Sequence, residues 1–264
     1  MGFTYFYGMS LLATKSTLYA TLKSLGLIFF FLATGLFLDS YHFVKLTVNA
    51  QLYANIVMFI VFTIVFFSVT KRNKEQMLYA VGIAIIGEYL FSIVMGMYTY
   101  RLGNVPHYVP PGHALVYIAV LYFSKASAIK KYKKHLELSF GIFIFLYAFC
   151  FLLFKNDVFG FVMTLATLFI LRNKPRERLF YLTMYITVAY LEIIGTNYLC
   201  WKWPTTAWGV FDFLPSYNPP SGISFFYFLL DLGCLWLYKQ RHKIAWERMK
   251  NIRRFRERKS ISTN

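Results

Sequence analysis

The chain has 264 residues, of which 58% are hydrophobic and 21% aromatic, and it carries a formal net charge of +17. Its mean hydropathy of +0.50 exceeds that of most soluble domains. The basic residues lie in short loops and in the C-terminal tail, whereas nucleic-acid binding needs a basic face on a soluble domain. Composition and charge therefore argue against a soluble domain and against a nucleic-acid partner, and they favour a membrane protein.

Eight apolar segments are predicted along the chain, most of them near the length that an α-helix needs to cross the hydrocarbon core of a bilayer. They cover residues 18–38, 50–70, 77–98, 113–129, 136–154, 157–171, 179–200 and 223–238. The first segment begins late and lacks a small-residue cleavage site, so we expect it to remain as a span and not to be removed as a signal peptide.

Lysine and arginine residues gather in alternate loops. Clusters lie before the third and seventh segments, around the end of the fourth and after the eighth, whereas the other loops hold one basic residue each: Lys45, Arg101, Lys155 and Lys202. Because positive charge stays on the cytoplasmic side, this alternation predicts cytoplasmic termini and Pro-rich loops on the opposite face. We expect a multi-pass protein of a bacterial inner membrane, with the basic tail on the anionic cytoplasmic leaflet.

Two stretches about a hundred residues apart share one order of features, which indicates an internal duplication. In each, a glutamate precedes two aromatic residues at positions i and i+2, and a Pro-x-Tyr-x-Pro-Pro motif follows. The first stretch has Glu88, Tyr98, Tyr100, Pro106, Tyr108, Pro110 and Pro111; the second has Glu192, Trp201, Trp203, Pro215, Tyr217, Pro219 and Pro220. We predict an all-α integral membrane protein of about eight transmembrane helices in two parallel four-helix repeats, residues 1–135 and 136–240, followed by the tail, residues 241–264.

Three acidic residues fall well inside the apolar segments: Glu88, Glu192 and Asp231. A carboxylate in hydrocarbon is costly unless it is paired, protonated or facing a polar cavity. Burial favours the protonated acid, which is a competent proton donor. The alternative is that the acids only join helices through hydrogen bonds. The duplication predicts that Glu88 lies near Glu192.

Histidines flank the first Pro-Pro pair. His107 and His113 have no imidazole counterparts in the second stretch, where the matching positions are Ser216 and Gly222. We predict His113 as a general acid or base or as a hydrogen-bond partner of the substrate, and the alternative is a plain interfacial histidine. Because the spacing of the two histidines is not that of a standard ligand set, no metal is predicted. The three cysteines, Cys150, Cys200 and Cys234, show neither metal spacing nor a disulfide framework.

The aromatic residues at the predicted outer interface allow two interpretations. They form an aromatic belt, or they line a site for an extended isoprenoid whose developing cation their faces would stabilise. The predicted substrate-binding residues are Tyr98, Tyr100, His107, Tyr108, Asn197, Trp201, Trp203, Tyr217 and Asp231. The sequence contains no Gly-rich phosphate loop and no DDxxD magnesium motif, so we expect no cofactor.

The order of these features resembles that of membrane carotenoid enzymes, namely the lycopene-cyclase domain, itself a tandem duplication, and the carotenoid hydratase family. The resemblance is carried by Glu88…Tyr98-Thr-Tyr100…Pro110-Pro111 and by Glu192-Ile-Ile-Gly-Thr196…Trp201-Lys-Trp203…Pro219-Pro220…Phe225-Phe226. It implies a membrane scaffold with acids inside its spans. The cyclase domain has paired glutamates just after its loop proline, where this chain has Gly112-His113 and Ser221-Gly222.

The sequence thus favours an integral-membrane enzyme that protonates a carbon–carbon double bond of an isoprenoid or carotenoid-like lipid, leading to cyclisation or hydration. Glu88 and Glu192 would form the acid/base pair and His113 would assist them. The alternative is a non-enzymatic transporter or scaffold subunit in which the buried acids form a proton or substrate path.

Overall fold

The computed structural model describes residue 19, residues 22–23 and residues 25–262, without the side chains of residues 229 and 253–262. Most of this chain is helical. The helices are α1 (residues 25–37), α2 (Tyr41–Val44), α3 (Ala50–Ser68), α4 (Lys71–Glu88), α5 (Val109–Lys125), α6 (Ser127–Lys131), α7 (Lys133–Lys155), α8 (Val158–Arg172), α9 (Arg178–Asn197), α10 (Ser224–Arg241) and α11 (Lys243–Ser262). A π-helical turn, Tyr89–Val94, continues α4.

Five candidate membrane spans are long and apolar enough to cross a bilayer: Leu25–Val44, Ala50–Ser68, Lys71–Val94, Lys133–Lys155 and Arg178–Asn197. They indicate a membrane protein, as predicted. Three of the eight predicted segments do not meet this standard. Helices α5 and α8 have 17 and 15 residues, fewer than the roughly 20 that a perpendicular crossing needs, and α10 carries Asp231 and two basic residues.

Local sequence sets several helix ends. Thr70 and Asp157 cap the N-termini of α4 and α8, where their side chains accept backbone N–H groups at 3.4 and 3.1 Å. Helix α5 begins at Val109, before the predicted start at residue 113. The reason is that Pro110 and Pro111 occupy its first turn, where the missing N–H groups have no intrahelical partner to lose.

The helices pack in two groups that meet along two contacts. Helices α3, α4 and α5 contact one another. In the second group, α8 and α9 contact each other, and each of them contacts both α7 and α10. Between the groups, α4 packs on α10 and α5 packs on α9. One hydrophobic core runs through both groups and includes Met77, Val120, Tyr185 and Val188.

Short strands, which the all-α prediction did not include, link the loops at one end of the bundle. Strand β1 (Thr99–Tyr100) pairs antiparallel with β2 (Trp201–Lys202), so that Thr99 lies opposite Lys202. Strands β3 (Thr206–Ala207) and β4 (Phe211–Pro215) form a hairpin in the loop before α10. The pairing of β1 with β2 holds the two aromatic pairs side by side.

Candidate active site

Glu88 ends α4 in the interior, where only 6% of its surface is exposed. Its Oε2 atom accepts hydrogen bonds from the hydroxyls of Tyr98 and Tyr100, the latter at 2.6 Å. Its Oε1 atom lies 2.8 Å from Nε2 of His113 on α5. Oε2 is therefore occupied by two donors, and a transferable proton on this acid belongs at Oε1, where it is shared with the imidazole.

Glu192 has the same arrangement on α9, with 3% of its surface exposed. Its Oε2 accepts the indole N–H groups of Trp201 and Trp203 at 2.8 and 3.0 Å. Its Oε1 lies 3.0 Å from the hydroxyl of Tyr227 on α10. Indole can only donate, whereas a phenol can also accept, so a proton on Glu192 likewise belongs at Oε1.

The partners of the two carboxylates pack against one another in three ring pairs, one edge-on and two tilted. Ring centroids are 4.5 Å apart for Tyr98 and Trp203, 6.0 Å for Tyr100 and Trp201, and 4.9 Å for His113 and Tyr227. Each pair joins one partner of Glu88 to one partner of Glu192. We call these six residues the aromatic cage: Tyr98, Tyr100, His113, Trp201, Trp203 and Tyr227.

The backbone near each carboxylate is shaped to let the aromatic pair reach it. On the first side, the π-helical turn after Glu88 contains Ser92, which donates a hydrogen bond to the carbonyl of Tyr98 at 3.2 Å. On the second side, Gly195 lies against the Trp201 ring, and a Cβ at this position would overlap that ring. A glycine one turn after Glu192 is thus required for the indole to fold back onto the helix.

The tyrosine hydroxyls around Glu88 remain protonated donors. Burial, and next the neighbouring Glu88 carboxylate, raise the pKa of Tyr98 and that of Tyr100 well above the usual value. Both phenols therefore keep their protons throughout the physiological pH range and can hold the carboxylate without exchanging protons with it.

A cavity of about 240 Å³ lies beside the cage, and both carboxylates line it. Apart from the cage and the two acids, its wall is almost entirely apolar, with Met58, Phe91 and Phe226 among the lining residues. The cavity thus offers acids and aromatic faces at one end and hydrocarbon surface elsewhere. This is a setting for proton transfer to an apolar molecule.

The structure brings together most of the predicted site residues. Glu88, Glu192, His113, Tyr98, Tyr100, Tyr108, Trp201 and Trp203 all line the same cavity. Four predicted substrate-binding residues do not line it. His107 and Asn197 are exposed because they lie outside the packed helix faces. Tyr217 lies in the second Pro-rich loop, where its ring instead contacts Phe151 of α7. Asp231 is buried one helical turn beyond Tyr227, and one of its carboxylate oxygens has no hydrogen-bond partner among the described residues.

Tyr227 is a site residue that the sequence analysis missed. Matching the two Pro-Pro pairs set Gly222 opposite His113, but Gly222 packs closely against Gly160 and Thr164 of α8. Helix α5 begins at its Pro-Pro pair, whereas α10 begins only at Ser224, after Pro219 and Pro220, so that the group equivalent to His113 is Tyr227 on α10.

Two buried aspartates anchor the Pro-rich loops. Asp39 is fully buried, pairs with Arg101 and accepts a hydrogen bond from the Tyr108 hydroxyl at 2.9 Å. Asp157 accepts the backbone N–H groups of Tyr217 and Ser221 at 3.1 and 2.7 Å. The two aspartates follow α1 and α7, and each fixes one loop that closes the site.

Among the described residues, no group of three or more His, Cys, Asp and Glu side chains is placed to hold a metal ion. The three cysteines are free, and Cys200 and Cys234 are buried.

Comparisons of the chain with protein-family models, with curated proteins and with solved structures found no match.

Proposed function

We propose that this protein is an integral-membrane enzyme that protonates a carbon–carbon double bond of an isoprenoid or carotenoid-like lipid, leading to cyclisation or hydration. The observation that carries the proposal is the pair of buried carboxylates in one aromatic cage, at the end of an apolar cavity. An apolar substrate fits the cavity wall, and among the described side chains Glu88 and Glu192 are the only carboxylates that line it.

In the proposed reaction, one acid gives its Oε1 proton to an alkene carbon. The O–H bond breaks, the π electron pair forms the new C–H bond, and the neighbouring carbon becomes a cation. The faces of the cage residues stabilise this cation. Attack by a second double bond, followed by loss of a proton to a carboxylate, gives a ring. Addition of water, followed by loss of a proton from its oxygen, gives an alcohol.

The contact of His113 with Tyr227 brings the surroundings of the two acids together. The acid that gives a proton and the base that takes one need not be the same residue. His113 reaches Oε1 of Glu88, Tyr227 reaches Oε1 of Glu192, and the two rings stack at 4.9 Å. Protonation of the alkene followed by loss of a proton changes no oxidation state, so the scheme needs no redox cofactor.

We also propose eight spans in two parallel repeats, with α5, α8 and α10 crossing alongside the five longer helices. The packing supports an approximate two-fold relation, because α4 contacts α10 as α9 contacts α5. The same two-fold relation places Tyr98 in the role of Trp201 and Trp203 in the role of Tyr100. The Tyr98–Trp203 ring pair therefore corresponds to the Trp201–Tyr100 pair. Charge alternation favours cytoplasmic termini in a bacterial inner membrane, with α11 on the anionic lipid surface.

The test compares lipid extracts from cells that contain the wild-type protein, Glu88→Gln, Glu192→Gln or the control Glu137→Gln. Glu137 pairs with Lys133 and Arg178 at 3.5 and 3.7 Å, away from the cavity. Glutamine keeps the shape and hydrogen bonding of the acid but removes its proton. We expect an isoprenoid product of altered mass or retention in the wild type and in the control. Its formation should fall about 100-fold or more in the two cage variants.

A different result would favour the transporter or scaffold alternative. If the wild-type protein changes no lipid, or if both cage variants form the product at the wild-type rate, catalysis by these acids is wrong. The buried carboxylates would then serve helix association or a proton path.

A further inference from the structure

The rim of the cavity is formed by side chains that face outward from the bundle. Ile86 on α4 and Val57 on α3 line the cavity, and they are 69% and 36% exposed. Both lie on candidate membrane spans. An apolar side chain exposed on a span faces acyl chains, because lipid is the solvent at that depth. The cavity therefore meets the bilayer at these residues.

The part of the wall that α1, α3 and α4 contribute includes small residues among larger apolar ones. Gly35, Gly87 and Ala54 line the cavity there. A Cβ added at Gly35 would meet no other atom within 4 Å, and one at Gly87 would meet only the Phe91 ring, at 3.9 Å. Packing thus leaves open space at both glycines, between the lipid-facing surface and the aromatic cage.

The size of the cavity bears on how much of a ligand it holds. Its volume of about 240 Å³ is below the range of roughly 300–1,000 Å³ that encloses a drug-sized molecule. A long isoprenoid cannot be enclosed in this space. One end of the chain can occupy the cavity, with its double bond at the acids, while the remainder stays among the lipids.

We infer that the cavity opens sideways into the bilayer between α1, α3 and α4, and that a chain-like isoprenoid inserts one end through this lateral opening past Gly35 and Gly87. The inference rests on the proposed function for the identity of the chain. The opening itself rests on the exposed rim, the glycines and the apolar wall. Substrate would then be taken from the membrane interior without crossing water.

Two pairs of glycines allow a matched test. Gly35→Leu and Gly87→Leu fill the opening, whereas Gly26→Leu on α1 and Gly82→Leu on α4 add the same side chain outside the cavity. Added Cβ atoms at Gly26 and Gly82 also meet nothing within 4 Å. Leucine is a better helix former than glycine, so all four variants should fold.

The probe is geranylgeraniol with a diazirine at its hydrocarbon end, added to each variant in lipid nanodiscs and activated by light. Peptide mass spectrometry then locates the adducts. In the wild type and in the Gly26→Leu and Gly82→Leu controls, we expect adducts on the cavity residues Ile223 and Phe226. Gly35→Leu and Gly87→Leu should lose these adducts. All five proteins should be labelled equally at lipid-facing Phe59, which is 68% exposed.

Cavity labelling that is absent from the wild type, or that is unchanged in both Gly35→Leu and Gly87→Leu, would overturn the lateral opening. Because labelling needs no turnover, this result is separate from the proposed function. Labelled cavity residues without any change in cellular lipids would keep the opening and reject the enzyme. Product formation with unlabelled cavity residues would keep the enzyme and reject the opening.

Discussion

Replacing Glu192 by alanine should destabilise the protein far more than replacing it by glutamine. Alanine leaves three buried donors without an acceptor: the N–H groups of Trp201 and Trp203 and the hydroxyl of Tyr227. Each orphaned donor costs about 1–3 kcal/mol in soluble proteins, whereas hydrogen bonds between membrane helices average about 0.6 kcal/mol. The three together give a loss of about 2 to 9 kcal/mol, against a typical total stability of about 5–15 kcal/mol.

Glutamine avoids this loss because its oxygen can accept both indole N–H groups while its NH₂ donates to the Tyr227 hydroxyl, which can accept. Its cost should stay below about 1.5 kcal/mol, the net value of one ordinary hydrogen bond. Glu137→Ala is the control, since its partly exposed pairs with Lys133 and Arg178 should contribute less than about 1 kcal/mol.

Thermal unfolding in detergent can be followed with a thiol-reactive fluorophore in proteins that also carry Cys150→Ala, because Cys150 is exposed and would react before unfolding. Cys200 and Cys234 are fully buried, and burial raises the pKa of the Cys200 thiol, so it should react only after unfolding. The alanine variant should unfold at a clearly lower temperature than the glutamine variant. Equal midpoints for the two would show that acceptance of these three hydrogen bonds does not hold the cage together.

Asp39→Ala should cost about 3–5 kcal/mol in the same assay, because it leaves the Arg101 charge unpaired in a largely buried site and frees the Tyr108 hydroxyl; a change within error would mean that the pair does not anchor the loop. For the topology, single cysteines at the exposed positions Asp212 and Lys243, in a cysteine-free background, should differ in intact cells. An impermeant maleimide should label the Asp212 position only, and labelling of both would reject the proposed orientation.

Hydropathy predicted several helices to within a few residues, because their length and apolar content are properties of the local chain. Helix α3 was expected over 50–70 and runs from Ala50 to Ser68, and α8 was expected over 157–171 and runs from Val158 to Arg172. Whether the shorter helices cross the membrane is a different matter. Helix α5, for example, is largely covered by neighbouring helices, so its sequence carries a weaker lipid-facing signal.

The site was predictable where its residues contrast with their surroundings. A glutamate within an apolar run is conspicuous, and so is a histidine at the start of a helix, so Glu88, Glu192 and His113 could be chosen from sequence. Tyr227 could not, because it lies in an aromatic-rich segment where nothing distinguishes it. Asp39 was missed for another reason: its partners, Arg101 and Tyr108, lie more than sixty positions away, as the separations of 62 and 69 show.

The two glutamates differ in their sequence separation from the aromatic pair that binds them, and this difference explains the π-helical turn. Glu88 and Tyr98 are 10 positions apart, whereas Glu192 and Trp201 are 9 apart. A π-turn has one more residue between hydrogen-bonded groups than an α-turn, so Tyr89–Val94 accommodates the additional residue without rotating the aromatic pair away from its acid.

Deletion of a single residue tests whether the π-turn accommodates one additional residue. Ile93 lies in the π-turn and is 50% exposed, so its removal should convert the turn to α-helix and leave Tyr98 and Tyr100 on Glu88. Ile194 lies in regular α-helix between Glu192 and Trp201, and its removal should rotate the indoles by about 100° relative to their acid. We expect the Ile93 deletion to keep the unfolding temperature near that of the wild type and the Ile194 deletion to lower it to that of Glu192→Ala or below. If the Ile93 deletion is as damaging as the Ile194 deletion, the π-turn is not an accommodated extra residue but a required part of the site.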